Sequence, residues 1–352
     1  MSAERAADLA RLIDLIEQFP RQTILVVADF VADEFVFGDI SRVSREAPVL
    51  ILRRREMHTS PGGGANAANN LADLGARVRP VAALGDDAAG DALAEYFRQK
   101  KIDTSGLVRK SGWTTPAKTR FLAGWAHTVQ QQVLRVDREP ESLPEGTGDA
   151  LVRKARERIA DASAVLFSDY GYGSVTPKIV SDIRGRGRWK KPVTLDSRYR
   201  LHEYQHLDLT AATPNEAEME AAHATEIAGD ASNLEGLARR TMARLNLSAL
   251  VVTRGRHGMT VFERRRAPQS LAVFGSDQAV DVTGAGDTVI AAFTLALAAG
   301  GTVLEAAAIA NYAGGIVVMK RGTATVTREE LAAAVRSDVT ENHAERGDGF
   351  AK

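Results

Sequence analysis

The sequence predicts an α/β fold, a doubly wound and mainly parallel sheet with a small β-sheet lid. Short β-rich runs that end in polar or turn residues alternate with longer stretches of helical period, the pattern of a parallel sheet covered by helices. Two stretches, 34–59 and 113–137, break that rhythm: they are rich in Val, Phe, Thr and Arg with alternating character, and read as strands of a small antiparallel sheet standing over the main body. With 352 residues and 44% apolar residues, the chain can bury a substantial core.

The elements follow in order. Residues 1–20, "MSAERAADLARLIDLIEQFP", form an amphipathic helix closed near Pro20; acids throughout and no apolar run of signal length argue against a leader peptide. The main body spans 21–336. Its strands are expected at "TILVVADF" (Thr23–Phe30), "RVRPVAAL", "SAVLFSDY", "KPVTLDS", "LDLTAATP" and "SALVVTRG". Helices are expected at "GANAANNLADLGA", "GDALAEYFRQKK", "ALVRKARERIADA" and "NLEGLARRTMARLNL". The longest apolar stretch, Thr288 to Ala299, is too short to cross a bilayer. A polar tail, 337–352, is expected to fray.

Composition excludes several functions. Lys plus Arg and Asp plus Glu number 45 each, so no basic field draws the chain to nucleic acid or to an anionic membrane. The absence of cysteine excludes disulfides, thiolate metal sites and cysteine nucleophiles, and fits a reducing, cytoplasmic compartment.

The segment "DVTGAGDTVIAAFTLALAAG", Asp281–Gly300, carries the chemistry. A helix of Ala, Leu, Val and Phe opens there with two glycines and two aspartates, although glycine is a poor helix former and a buried carboxylate needs a partner. A helix starting at Gly284 or Ala285 turns the N–H groups of Ala285, Gly286 and Asp287 outward at its positive end, an anion site. Asp287 at its rim is placed to take a proton from an attacking hydroxyl. Taken alone, the segment fits a tight turn with Asp287 as a capping residue equally well. "PGGGANAANNLADLGA" (Pro61–Ala76) adds a glycine-rich turn opening a small-residue helix with Asn66 near its start, and "VVADFVADEFVFG" places Asp29 and Asp33 beyond the first strand, where ligands of open α/β sheets bind. Tight packing and a solvated loop are the plainer readings of these two.

Together these segments resemble the PfkB, or ribokinase-like, carbohydrate kinases. "DVTGAGDT" is similar to the second signature of that family, "GGGANAANNLADLGA" followed by "ALGDDAAGD" to the first, and "TPNEAEME" to its asparagine-x-x-glutamate element at Asn215 and Glu218. The resemblance runs from about Thr23 to Arg336, and "ADFVADEFVFGDISRVSREAPVLIL" with "LVVTRGRHGM" looks most like the heptose-7-phosphate kinases. It implies a ribokinase-like fold and ATP-dependent phosphorylation of a sugar or sugar phosphate, with ATP and Mg²⁺ as cofactors. Asp287 would be the general base, with Gly284, Ala285 and Gly286 forming the anion hole. Asp29, Asp33, Gly63, Gly64 and Asn66 match substrate-side positions. Asn215, Thr253, Gly255 and Asn311 would line the nucleotide, and Glu218 would hold Mg²⁺ through water. Asp281 and Thr283 match a loop that in some members holds a monovalent cation such as K⁺. Lid segments in this family often form homodimers.

The chain also departs from the heptose kinases. It reads "DSR" where they read aspartate-proline-lysine, so Asp196 is kept and a cation survives as Arg198, and three glycines, Gly62 to Gly64, stand where two glycines and an alanine are usual. If the chain serves ADP-heptose synthesis, its end soon after the kinase region leads to the expectation that another protein carries out nucleotidyl transfer. Cations in the lid segments, Arg42, Arg45, Lys118, Arg120 and Arg135, are candidates for an acceptor phosphate; Lys118 and Arg120 lie two apart and share a strand face. The competing reading pairs them with Glu46, Asp137 or Glu139. His202 and His206, Arg53–Arg55, Arg264–Arg266 and "RGRGR" (Arg184–Arg188) are surface features, and Ser168, Asp169 and Tyr170 divide evenly between cleft and structure. The alternatives are a family member acting on a free ketose or aldose, a catalytically silent sugar- or nucleotide-binding regulator, and a dinucleotide-dependent oxidoreductase. The last lacks a glycine fingerprint after its first strand.

Overall fold

The structure, a computed structural model, describes residues 3–124, 130–227, 230–276 and 278–347. The 125–129 part of the expected lid and the 348–352 part of the expected tail lie outside the described residues. The N-terminal helix α1 (Ala3–Glu17) buries Leu9, Leu12, Leu15 and Ile16, a stripe at helical spacing. Strand β1 (Thr23–Ala28) follows, buried at all six positions, which is why its sequence is a continuous apolar run.

After β1 a single residue, Asp29, separates the main sheet from β2 (Phe30–Val43), which pairs antiparallel with β3 (Leu50–Gly63). Next come α2 (Gly64–Asp73), β4 (Arg77–Gly85), α3 (Ala88–Gln99) and the short β5 (Leu107–Lys110). Strands β6 (Ala117–Gly124) and β7 (Gln131–Arg138) complete a four-stranded lid in the order β3-β2-β6-β7. The lid is mixed rather than antiparallel, because β2 and β6 run parallel. They follow β1 and β5, which run parallel in the main sheet, and leave it at the same carboxyl end, so their directions agree.

The second half continues through α4 (Thr147–Ile159), β8 (Ala164–Asp169), α5 (Pro177–Arg184), β9 (Val193–Ser197), β10 (Ala211–Ala212), α6 (Glu216–His223), α7 (Ala231–Leu245) and β11 (Ala249–Thr253). The strand expected over 207–214 shrinks to two residues: Asp208 takes a left-handed φ of 54°, which ends extended pairing, and Pro214 follows. An antiparallel edge, β12 (Met259–Glu263) and β13 (Gln269–Leu271), closes the main sheet. Then come α8 (Ala285–Ala298), α9 (Val303–Val317) and α10 (Arg328–Gly347). The expected frayed tail is helical up to Gly347, and its first part continues a helix whose Leu331 and Val335 are buried.

The nine-stranded sheet has the order β13-β12-β11-β10-β9-β8-β1-β4-β5, with one apolar core on each face. The chain passes from β1 to β4 on one side and later returns to β8 on the other. Such a switch point opens a crevice at the carboxyl ends of the strands. Asp29, Tyr170 and Arg198 follow the ends of β1, β8 and β9 there. Among the described residues no helix is long and apolar enough to cross a membrane.

Candidate active site

Helix α8 starts at Ala285, with Gly284 as its N-cap at φ 77°, a conformation that costs a side chain dearly and glycine nothing. Ala285 N–H donates to Val282 (3.2 Å), so it belongs to the turn rather than to an open anion hole. The N–H groups of Gly286 and Asp287 have no backbone acceptor among the described residues, and the space beside Gly286 Cα is open. Two amides therefore face the cleft at the positive end of the helix.

Asp287, only 3% exposed, is seated by two neutral donors. Asn66 Nδ2 donates to Oδ2 (3.0 Å) and the Tyr170 hydroxyl to Oδ1 (2.7 Å). Asn66 is itself fixed by Asn70, whose Nδ2 donates to the Asn66 backbone oxygen (3.0 Å) and to its Oδ1 (3.2 Å), while Asn70 Oδ1 accepts from Thr288 (3.0 Å). Burial pushes the Asp287 carboxyl up to about 7, against the pull of these two hydrogen bonds and with a further rise from the charge of Asp33. That value suits a general base at neutral pH.

Asp29 has a different task from the substrate contact expected of it. Its carboxylate, 1% exposed, accepts backbone N–H groups from Tyr170 (2.9 Å), Tyr172 (2.9 Å) and Ser174 (2.7 Å), binding the loop after β8. Burial and the charge of Asp169 push it up to about 6. Asp169 closes the other side of the loop, accepting from Gly171 N–H, Ser197, Tyr204 and Arg200. The glycine run is tightly packed: Gly63 caps α2 at φ 54°, Gly64 N–H donates to Asp29 O (3.0 Å), and a Cβ on Gly62 would stand 2.6 Å from the Asp33 carboxylate.

The lid brings Asp33, Lys118 and Arg120 over this floor; Arg135 stands opposite Arg120 on the same face but is far more exposed. Arg120 forms a largely buried pair with Asp33 (2.8 Å) and stacks its guanidinium over Phe35. Arg135 pairs with Asp137 (2.8 Å) on an exposed strand. Among the expected phosphate cations, half-buried Lys118 has its ammonium 5.6 Å from the centroid of the Tyr170 ring. Burial and the nearby charge of Arg198 hold its pKa below the usual lysine range. Arg42 and Arg45 lie exposed near the tip of the β2–β3 hairpin. Beneath the lid a cavity of roughly 920 Å³ is lined in part by Phe35, Phe37, His58, Arg120 and Arg321; His58 and Arg321 carried no motif in the sequence.

On the opposite side, Asn215 and Glu218 form a capping box at the start of α6: Asn215 Oδ1 accepts from Glu218 N–H (2.8 Å) and Glu218 accepts from Asn215 N–H (2.9 Å). A backbone bridge joins Asn215 to Thr253, two residues before Gly255. Asn311 donates to Ala272 O (2.7 Å) beside a cavity of roughly 790 Å³ that Phe274 and Tyr312 help to line. Asp281 accepts from Thr283 N–H and Gly322 N–H (both 2.9 Å), fixing the turn before α8 against the end of α9. Removal from water, then the charges of Glu218 and Asp287, hold the Asp196 carboxyl well above its usual range. His202 and His206 join no metal cluster among the described residues. Arg264–Arg266 form an exposed turn, Arg53–Arg55 lie exposed on β3 with Arg55 paired to Asp39, and Arg184 pairs with Asp208.

The pfkB family carbohydrate kinase profile matches residues 30–330. Bifunctional protein HldE of Mesorhizobium japonicum is 39% identical over 329 residues, covering 91% of this chain and 63% of that protein. The protein of the same name from Geobacter metallireducens is 36% identical over 314 residues, covering 88% and 62%. The chain thus spans less than two thirds of the length of these relatives. Among solved structures, Arabidopsis thaliana ribokinase complexed with ribose and ATP superposes with a TM-score of 0.70 at 20% identity, covering 90% of this chain and 98% of that one. Escherichia coli phosphofructokinase-2 in complex with substrates and products gives 0.73 at 17%, covering 90% and 99%. At that identity the likeness is one of fold.

Proposed function

The chain belongs to the pfkB family of carbohydrate kinases, and from that premise we propose that this ATP-dependent sugar kinase acts on a heptose 7-phosphate. The observation that carries the reaction is Asp287, a buried carboxylate with its base strength near neutrality, at a helix terminus whose free amides serve an anion. Each of its oxygens keeps a lone pair beyond the bond to Asn66 or Tyr170. The acceptor hydroxyl gives its proton to Asp287 as its oxygen bonds to the γ-phosphorus. The bond from that phosphorus to the β–γ bridging oxygen breaks, and ADP leaves. The amides of Gly286 and Asp287 offset charge on the transferring group.

The nucleotide side is assigned to Asn215, Thr253, Gly255 and Asn311. Asp196 and Glu218 are hard oxygen donors, and burial followed by their like charges raises the proton affinity of Asp196, a donor set that fits Mg²⁺ held largely through water. When bound, Mg²⁺ neutralises the nucleotide phosphates. Asp281 and Thr283 are assigned to a monovalent cation such as K⁺. The acceptor is assigned to Asp33, Gly63, Asn66 and Lys118. Its phosphate depends on Lys118 more than on Arg120 or Arg135, which are already paired. Exposed Val43, Leu50, Met57, Leu134 and Val136 on the lid strands support a homodimer formed through the lid, and the cysteine-free chain suits the cytoplasm.

The experiment is ADP release across a panel of heptose 7-phosphate, other sugar phosphates and free sugars. Heptose 7-phosphate is expected to give the highest kcat/KM; a free ketose or aldose that exceeds it transfers the assignment to a free-sugar kinase.

A further inference from the structure

We propose that Tyr170 is a positioning residue for the base, and that the loop 170–174 exists to deliver its hydroxyl to Oδ1 of Asp287. The inference rests on Asp287 being the base. The hydroxyl lies 2.7 Å from that oxygen, and the loop bearing it is clamped from both sides by the buried carboxylates of Asp29 and Asp169. Asp29 binds the backbone N–H groups of Tyr170, Tyr172 and Ser174, and Asp169 binds Gly171 N–H. Three backbone amides turned toward one buried carboxylate leave the loop little freedom.

The surroundings make the hydroxyl a donor and not a competitor for protons. Burial and the charge of Asp287 hold the Tyr170 phenol well above its usual range, so it stays neutral. The other groups acting on Asp287 are Asn66 from α2, Asp33 from β2, Lys118 from β6 and Asp196 at the end of β9, with Arg198 close to the Tyr170 ring. Among the described residues, Asn66 and Tyr170 are the two that donate hydrogen bonds to it. A donor on the carboxylate favours its charged form, so Tyr170 keeps the base ionised at a pH where burial alone would protonate it.

The test is Tyr170→Phe, with Tyr172→Phe as a control in the same loop, since the Tyr172 hydroxyl donates to Glu139 (3.1 Å). Infrared titration of the Asp287 carboxyl, isolated as the difference against Asp287→Asn, needs no acceptor. It is expected to move up by about one pH unit in Tyr170→Phe and to stay in place in Tyr172→Phe. With heptose 7-phosphate and ATP, the acid limb of kcat/KM is expected to follow, a loss of about tenfold at pH 6 that narrows to within about threefold at pH 9. An unmoved carboxyl in Tyr170→Phe, or equal movement in Tyr172→Phe, overturns the inference. A carboxyl that moves while the kinetic limb does not overturns the assignment of Asp287 as base, and the inference with it. Absence of turnover with every sugar in the wild type is a failure of the kinase reading, separable because the infrared result stands apart from it.

Discussion

The floor and the lid of the cleft are built on opposite terms. On the floor Asp29, Asn66, Asn70, Asp169 and Asp287 are all buried, and each is bonded to a partner distant in the chain. On the lid the charged groups mostly pair with neighbours in the same small sheet, while Val43, Leu50 and Leu134 stand exposed. The difference separates two tasks. On the proposed mechanism the floor holds the base and the anion site, so changes there are expected to act on turnover or on stability. Lid chemistry meets whichever acceptor arrives, so changes there act on affinity.

The sharpest way to break that division is Asp287→Asn, which keeps the shape of the base and removes its proton affinity. Turnover is expected to fall by about two to four orders of magnitude, with ATP affinity by calorimetry nearly unchanged. Retention of more than half the wild-type rate would move the chemistry elsewhere.

Arg120→Ala and Lys118→Ala sharpen the comparison within the lid. Arg120→Ala leaves the buried Asp33 unpaired and is expected to cost about 2–4 kcal/mol in urea unfolding. Lys118→Ala leaves no such orphan; it is expected to alter stability little while weakening heptose 7-phosphate binding by about 1–3 kcal/mol and a free sugar much less. Equal losses for both acceptors would remove the phosphate contact.

Stability against pH tests the floor alone. Asp287, at about 7, and Asp29, at about 6, both hold protons more tightly in the folded protein than in the unfolded chain. Their contribution is fully present below the ordinary carboxyl range and is lost as pH rises through the folded values, so stability from these two falls between about pH 4 and 7. Asp287→Asn is expected to flatten the upper part of that fall and to stabilise the protein at pH 8 by about 1–3 kcal/mol. A thermal midpoint with identical pH dependence in the two proteins would contradict the burial of an ionisable group there.

The smallest effect is expected from Glu218→Gln. Gln can keep the hydrogen bond to Asn215 N–H, so stability should hold within about 0.5 kcal/mol while the Mg²⁺ concentration for half-maximal rate rises. An unchanged Mg²⁺ dependence would leave Glu218 a capping residue.

Asp287 was legible in the sequence because two glycines and an acid are out of place at the head of an apolar helix. The buried strands were legible for a similar reason: β1 and β8 are apolar runs with polar ends. Strands β5 and β13 were not, because they are short and lie at the sheet edges, where half-exposed residues dilute the pattern. The spacing of Asn66 and Asn70 by one helical turn was visible, yet its meaning depended on Thr288, 218 residues away. The work of Asp29 was hidden for the same reason. Nothing near it in sequence shows that loop 170–174 will lay three amides against it, and an aspartate at a strand's carboxyl end reads as a ligand contact until that loop is in place.

The break between β1 and β2 is one residue long, and at the far end of the hairpin β3 runs straight into α2. The lid hairpin therefore has no hinge loop of its own. Its two roots are Asp29, which clasps the loop of Tyr170, and the turn of α2 that carries Asn66. Those are the two supports of the Asp287 carboxylate, so the hairpin is a handle fastened to both jaws of one vice.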